Sequence, residues 1–336
     1  MMLIYWIKLT ILLHLLIRTR TTHTANTTVR YLPGINALSL GLVGKKGFVK
    51  RATRNEMWRH AGVLLAGILP MILIPRVGFH SYFFFCTGMA CFAALSTLLI
   101  DDSKINDAAA RGSDDVPGNG TVVTDLVPYR QLLCRKQIML TIASVVLFHL
   151  GNAAMLPMTG QKIDELKHNN DTWVEIPGVG EVDGAVGVSI ASVIAELTAI
   201  PITFLAGRLS NHRSWGRRRV ALVGFTALPI RGVLLGLTNS IGGLLAIQLL
   251  DGLGGAVVGV IPILMMQDLT DGTGRFSSMQ GGVGAALGLG TAVSQILAGG
   301  IAEIAGFTVM FMAMSGIAIA ALLCIICMKE TKNAGG

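Results

Sequence analysis

Two apolar runs joined by a basic loop decide the fold of this chain. The run GAVGVSIASVIAELTAIPITFLAG (184–207) is followed by the loop RLSNHRSWGRRR (208–219), and a second apolar run then extends to residue 238. About 20 mainly apolar helical residues are enough to cross the hydrocarbon core of a bilayer. Clusters of Lys and Arg typically lie in short loops on the cytoplasmic side. The segment therefore predicts two membrane-spanning helices connected by a cytoplasmic loop.

The composition agrees with a membrane protein. The 336 residues are 52% hydrophobic and 14% charged, with a mean hydropathy of +0.64, whereas soluble domains carry about 25% charged residues. Glycine is abundant, at 41 residues against 10 prolines, as expected where small residues let transmembrane helices pack closely. These numbers exclude a disordered chain and disfavour a soluble enzyme. The net charge of +8 comes from clusters between apolar runs, so we predict no nucleic-acid partner.

Eight apolar runs are long enough to span a membrane, and we predict an all-α, polytopic helical bundle. They occupy residues 57–75, 79–100, 138–158, 184–207, 219–238, 241–267, 277–301 and 307–328. A ninth run, Met2 to Ile17, is short and contains Lys8 and His14. It is a short span or a mis-assigned start, because Arg18 and Arg20 follow its apolar part rather than precede it, unlike in a signal peptide.

Charge in the loops predicts the orientation. Strict alternation of the spans places three basic clusters on one side of the membrane: residues 45–54, the 208–219 loop, and the tail from 329. The loop 159–183 falls on the other side and contains six acidic residues against two lysines. The basic side is therefore predicted to be cytoplasmic. The acidic loop is predicted to lie outside, in a multi-pass protein of the plasma membrane.

Polar and apolar segments divide the chain into five regions. They are an N-terminal segment at 1–34, a pair of spans within 35–100, a cytoplasmic linker at 101–137, six spans within 138–328, and a cytoplasmic tail at 329–336. The linker mixes charges of both signs and contains a Pro-Gly-Asn-Gly turn at 117–120, which is typical of a loop between helical groups.

Several motifs resemble the major facilitator superfamily. The loop residues Gly207, Arg208, Asn211, Gly216, Arg217 and Arg218 resemble its cytoplasmic signature, Gly-x-Leu-x-Asp-Arg-x-Gly-Arg-Arg, with Asn211 where the signature has an acid. Further similar stretches are Asn36–Gly44, Arg54-Asn55-Glu56 with His60-Ala61-Gly62, His149–Pro157, Gln248–Gly252 and Asp268–Phe276. The resemblance covers roughly residues 35 to 331.

The resemblance implies a fold and two possible functions. It makes 138–328 the C-terminal six-helix half, and it makes 35–100 a remnant of the N-terminal half that begins at the end of the family's fourth helix. Such transporters rock two halves about a site near the bilayer midplane. We therefore expect a secondary transporter that moves a small solute by alternating access, coupled to protons. The alternative is a truncated or degenerate relative that does not transport and acts as a membrane partner or regulator, or has no activity.

Polar residues inside the spans are the candidate site, because ionisable groups at this depth are energetically expensive. His149 and Asn152 lie three residues apart on one span, and Gln248 and Asp251 lie three apart on another. Residues at this spacing share a helix face. On the resemblance both helices line the central cavity, so the four residues are predicted to bind solute or protons. Alternatively, each pair only satisfies neighbours across a helix interface.

Glu196 and Arg231 lie at similar depths on consecutive spans, which predicts a structural ion pair. The alternative is that Glu196 carries protons beside Arg231. The loop arginines either gate the cytoplasmic side or only set topology. We find no nucleophile–base set and no metal-ligand spacing, so the sequence predicts no enzyme, metal or cofactor. It does not indicate an oligomeric state.

Overall fold

The computed structural model describes residues 31–78, 80–113, 126–170, 175–176 and 180–332. The predicted Met2–Ile17 run lies outside the described residues. Helices occupy all eight predicted positions. The helices are α1 (Tyr31–Val77), α2 (His80–Thr97), α3 (Asp107–Ala110), α4 (Tyr129–Leu133), α5 (Lys136–Asn152), α6 (Met155–Asn170), α7 (Gly184–Asn211), α8 (Gly216–Leu237), α9 (Ile241–Ala246), α10 (Gln248–Leu269) and α11 (Phe276–Ile326).

Two of these helices are bent at a glycine. Helix α1 is interrupted at Gly44, with φ 64°, and the 51-residue helix α11 is interrupted at Gly306, with φ 82°. A left-handed φ is accessible to glycine at little cost but is strained for residues with a side chain. The two bends therefore separate consecutive helical segments. In α11 the bend falls between the two predicted spans 277–301 and 307–328.

Five helical stretches within the described residues are long and apolar enough to cross a membrane. They cover Lys136–His168, Gly184–Asn211, Gly216–Leu237, Ile241–Leu269 and Phe276–Ile326. The last one contains two of the predicted spans, while α2 has a shorter apolar part, Phe83–Thr97. The chain is thus a multi-pass, all-α membrane bundle, as predicted from its sequence.

The loop expected over 159–183 is more ordered than the sequence indicated. Helix α6 continues to Asn170, and a small antiparallel hairpin follows, with β1 (Glu175–Ile176) paired to β2 (Gly180–Glu181). Lys162 stabilises this extension because its Nζ donates to the carbonyls of Leu235 at 2.8 Å and Gly236 at 3.2 Å. A cation at these last carbonyls of α8 is favourable. The polar sequence of 159–183 did not predict this contact with a helix that is distant along the chain.

The predicted linker packs on the end of the bundle that carries the basic clusters, which we call the basic end. The backbone N–H of Asn106 donates to Gly41 at 3.1 Å, and that of Phe276 donates to Arg111 at 3.0 Å. The guanidinium of Arg275 lies 4.3 Å from the ring centroid of Tyr129. The linker thereby ties α1 to the helices that follow it.

A packed layer joins α1 to the later helices at the basic end. Phe48 and Phe276 meet edge to face with centroids 5.6 Å apart, and both are fully buried. Lys45 Nζ lies 2.5 Å from Asp271 Oδ1, and Thr53 fills the space beside Gly207 that a side chain would otherwise occupy. These contacts hold α1 against α7 and α11.

Candidate functional site

A cavity of about 370 Å³ lies between α1 and the helices α5, α7, α10 and α11. Its size falls in the usual range for small-molecule sites. The polar groups on its wall come from all five of these helices. They are Asn36, Glu56, Arg59 and His60 from α1, Thr141, His149 and Asn152 from α5, Glu196 from α7, Asp251 from α10 and Gln280 from α11. The cavity lies deeper in the bundle than the packed layer at the basic end.

The predicted residues His149, Asn152, Glu196 and Asp251 all line this cavity. Gln248 is fully buried and is absent from the cavity wall. His149 Nδ1 lies 3.1 Å from the carbonyl oxygen of Val145. Since a carbonyl oxygen only accepts, Nδ1 carries the proton and donates it. Whether these residues bind solute stays a prediction.

Arg231 holds the predicted residues of α5 and α10 together. Its side chain is fully buried. Nη1 donates to Asn152 Oδ1 at 2.6 Å and lies 2.9 Å from Asp251 Oδ1, while Nη2 donates to Gln248 Oε1 at 2.7 Å. A buried cation requires a charge partner and hydrogen bonds to offset its lost hydration. Arg231 therefore orients the amide and the carboxylate at the cavity wall.

The predicted ion pair between Glu196 and Arg231 is wrong. Arg231 pairs with Asp251, and Glu196 pairs with His60, whose Nδ1 lies 2.6 Å from Glu196 Oε2. Equal depth on consecutive helices does not decide which faces meet, because each helix also rotates about its own axis. Helix α8 turns Arg231 toward α5 and α10, and α7 turns Glu196 toward α1.

Helices α7 and α10 pack closely at a point next to two acidic residues of the cavity wall. Gly252 lies against the carbonyl oxygen of Ala195, so close that no side chain fits there. Glu196 and Asp251 are the residues next to this contact point, and both face the cavity. The absence of a Cβ at Gly252 thus lets α7 and α10 approach closely where each helix contributes an acidic residue to the wall.

The sequence analysis missed the polar residues of α1. Glu56, Arg59 and His60 share a face by their spacing of three and four residues. The predicted span 57–75 left out Glu56 and placed Arg59 and His60 within three residues of its start. In the structure the helix resumes after Gly44, which places Glu56 about 18 Å along it at 1.5 Å per residue. The sequence signal for these three residues is Gly44, because it marks where their helical segment starts.

The signature loop makes ion pairs at the basic end without using Asn211. Arg217 is almost fully buried and its Nε lies 3.0 Å from Asp268 Oδ2 at the end of α10. The backbone N–H groups of Arg217 and Arg218 donate to the Glu330 carboxylate at 2.8 and 3.0 Å. Arg208 and Asn211 are exposed. Asp268 and Glu330 therefore supply the negative charge that position 211 lacks.

Comparison with known proteins places these features in a family. A sequence model of the Major Facilitator Superfamily matches residues 176–334. Two curated relatives, from two strains of Mycobacterium tuberculosis, are each described as an uncharacterized MFS-type transporter. Each is 34% identical over 308 residues, which cover 90% of this chain and 68% of the relative.

The match with these two relatives covers 90% of this chain, whereas the family model covers the part from 176 onwards. The chain belongs to the major facilitator superfamily of membrane transporters, and it is an integral, multi-pass membrane protein whose partners are the lipid bilayer and a small-molecule solute.

Proposed function

We propose that this chain is a secondary transporter that moves a small solute by alternating access, coupled to protons. The observation that carries the proposal is the cavity between α1 and the later helices, whose wall holds Glu196, Asp251 and His149. Titratable groups inside a bilayer are a common means of proton coupling. A site at the interface of two helical groups is also the arrangement that alternating access needs.

The packed layer at the basic end supports a state in which the cavity is closed on that side. For the cavity to open there, Phe48 must separate from Phe276 and Lys45 from Asp271. These contacts join α1 to segments that follow the linker. We therefore propose that solute reaches the cavity from the opposite end in this conformation.

We further propose that the basic end faces the cytoplasm of a cell whose plasma membrane contains the protein. The arginines at 208–219 and the lysines at 45–50 all belong to this end. The strands β1 and β2, which contain Glu175 and Glu181, belong to the other end. This distribution follows the positive-inside rule.

A flux assay tests the proposal. The purified chain is reconstituted in liposomes with a defined mixture of small metabolites outside, an acid-outside pH gradient is imposed, and the vesicle contents are measured by mass spectrometry. We expect at least one metabolite to accumulate relative to protein-free vesicles. Asp251→Asn keeps the oxygen that faces Arg231 but removes the charge, so gradient-driven uptake should be lost. Asp107→Asn, at an exposed linker position, is the matched control.

Three outcomes contradict parts of the proposal. Undiminished uptake in Asp251→Asn would remove Asp251 from proton coupling. Uptake that ignores the pH gradient would remove coupling altogether. No uptake of any metabolite by folded wild-type protein would instead favour a relative that does not transport.

A further inference from the structure

Four side chains connect α1 to α7 through a chain of hydrogen bonds at the cavity. Arg59 Nε donates to Glu56 Oε2 at 2.5 Å, and Arg59 Nη2 lies 3.1 Å from His60 Nε2. On the other side of the ring, His60 Nδ1 lies 2.6 Å from Glu196 Oε2. His60 is therefore held between a guanidinium and a carboxylate.

This geometry assigns the protonation state of His60. A guanidinium has only donors, so Nε2 must accept from Arg59 and carries no proton. Nδ1 then carries the ring proton and donates it to the Glu196 carboxylate. His60 is therefore neutral as long as Arg59 stays in contact with it.

A proton on Nε2 is incompatible with the Arg59 contact. Two donors and two positive charges would face each other across 3.1 Å, whereas the protonated ring would pair more strongly with Glu196. The Arg59 end group would have to leave the ring. Its side chain is already 36% exposed. Histidine is the side chain whose charge ordinarily changes near neutral pH.

The cavity has room for a ligand beside Arg59. Arg59 Nη2 lies along the glycine surface of α10, 3.3 Å from where a Cβ on Gly259 would lie. One turn away, a Cβ on Gly255 would have no neighbouring atom within 4 Å. Both glycines line the cavity. A ligand in this space reaches the guanidinium without moving the backbone.

Resting on the transport function proposed above, we propose that an acidic group of the solute binds the Arg59 guanidinium and that this binding is coupled to proton uptake by His60 Nε2. Either event removes Arg59 from the ring, so each favours the other, and the coupling is reciprocal. The solute class is an organic anion, with a carboxylate or a similarly charged group. The proton comes from the solution on the side to which the cavity is open.

The charges around His60 agree with this coupling. The charged and titratable residues that share the cavity with it are Glu56 and Arg59 from its own helix, Glu196 from α7, Asp251 from α10 and His149 from α5, and the cavity residues of α11 are uncharged. With both histidines neutral, three carboxylates oppose Arg59 and the buried Arg231. An anion alone would increase the negative excess, and a proton on His60 offsets it. Since Arg231 is fully buried and paired with Asp251, Arg59 is the cation exposed to a ligand among the described cavity residues.

The test measures proton uptake on anion binding by the full chain in lipid nanodiscs, in weak buffer with a pH-indicator dye. Probes of matched size and different charge are benzoate, benzamide and benzylammonium, with acetate and 2-naphthoate as smaller and larger anions. We expect about one proton taken up per bound anion, and an anion affinity that rises about fivefold or more from pH 8 to pH 6, the lower end of typical coupling. Benzamide should cause no proton uptake.

Variants separate the roles of the two residues. Arg59→Gln should lose anion binding, and His60→Asn should lose the proton uptake and the pH dependence. His168→Asn and Arg213→Gln change the same residue types at exposed positions and should behave as wild type. Binding of none of the anions, binding without proton uptake, or benzylammonium binding with proton release would each overturn the proposal.

A second measurement does not depend on any ligand or on folding of a variant. The nitrogen chemical shifts of labelled histidine at pH 8 distinguish the two neutral tautomers of the ring. We expect His60 to carry its proton on Nδ1, and a proton on Nε2 would overturn the proposal. Neither experiment measures flux. The coupling of anion binding to His60 can therefore be disproved while transport is still observed, and it can be confirmed while the flux assay shows no transport.

Discussion

At the scale of single residues, two buried arginines of this protein each donate hydrogen bonds to several acceptors. Arg231 donates to Asn152 and Gln248 and pairs with Asp251. Arg217 pairs with Asp268 and donates to the Ser210 carbonyl. The planar guanidinium suits such multiple contacts, whereas a lysine offers a single point charge. These arginines join helices that are distant in sequence.

Removing Arg231 should destabilise the protein more than removing both members of its ion pair. Arg231→Met leaves the Asp251 carboxylate without its partner, for which we expect a loss of about 3–5 kcal/mol. Adding Asp251→Asn removes that unpaired charge and should recover part of the loss. Thermal unfolding in detergent measures both. If the double variant is less stable than Arg231→Met, the pair does not explain the stability of this region.

Glu330 should stabilise the start of α8. Its carboxylate accepts from the backbone N–H groups of Arg217 and Arg218, where an anion is favoured by the helix dipole. Glu330→Gln should therefore lower the free energy of unfolding by about 0.5–1 kcal/mol. Glu303→Gln, an exposed position within α11, is the control and should have no measurable effect. Equal unfolding midpoints for the two variants would contradict the capping role.

At the scale of helices, glycine decides which pairs approach closely. Gly252 allows α10 to meet the Ala195 carbonyl of α7, while Gly255, three residues later, faces open cavity. The two glycines lie on one helix and look alike in sequence. Their different surroundings therefore give a matched comparison.

Alanine should lower the stability of the protein at position 252 but not at position 255. Gly252→Ala forces α7 and α10 apart, and we expect it to lower stability by about 1–3 kcal/mol, as overpacking does. Gly255→Ala adds a methyl group to empty space and should leave stability within about 0.5 kcal/mol. Thermal unfolding of both variants checks this. Similar losses in the two variants would mean that the close helix approach is not specific to Gly252.

At the scale of the whole molecule, the proposed closure of the cavity by the packed layer at the basic end can be tested through access to the cavity. Phe48→Ala removes one ring of the Phe48–Phe276 contact and should favour opening at this end. Gln280→Cys, introduced at the cavity wall in a background without other cysteines, should then react several-fold faster with a membrane-impermeant thiol reagent supplied from the basic end. Cys134, exposed at the basic end and kept as the single cysteine in a parallel background, should react at an unchanged rate. An unchanged rate at position 280 would show that the layer does not limit access.

Orientation is a property of the whole chain as well. Cys134 is exposed at the basic end, and Glu165 is exposed on the extension of α6 at the other end. With the basic end in the cytoplasm, an impermeant maleimide should label Glu165→Cys in intact cells and Cys134 only after permeabilisation. Each site is tested in a background where the remaining cysteines are serine. The reverse pattern would invert the topology.

The sequence by itself determined the membrane bundle. Apolar runs of helical length predicted helices at all eight positions, and the signature loop with its flanking spans identified the family. Ionisable and amide groups are rare at that depth, and with the resemblance they led us to expect His149, Asn152, Gln248 and Asp251 at the cavity. All but Gln248 line it. These properties follow from local composition and length, which do not depend on how the helices pack.

Only the tertiary structure decided the partners of these groups. The Glu196–Arg231 pair was inferred from depth alone, and the structure instead pairs Arg231 with Asp251 and Glu196 with His60. Glu56, Arg59 and Gln280 were also recognised as cavity residues only in the structure. Depth along a helix is fixed by sequence position, whereas the face that meets a neighbour depends on the rotation of each helix and on close contacts such as Gly252 with Ala195. That rotation is set by packing between distant segments, so the hydrogen-bond chain through His60 becomes visible only in three dimensions.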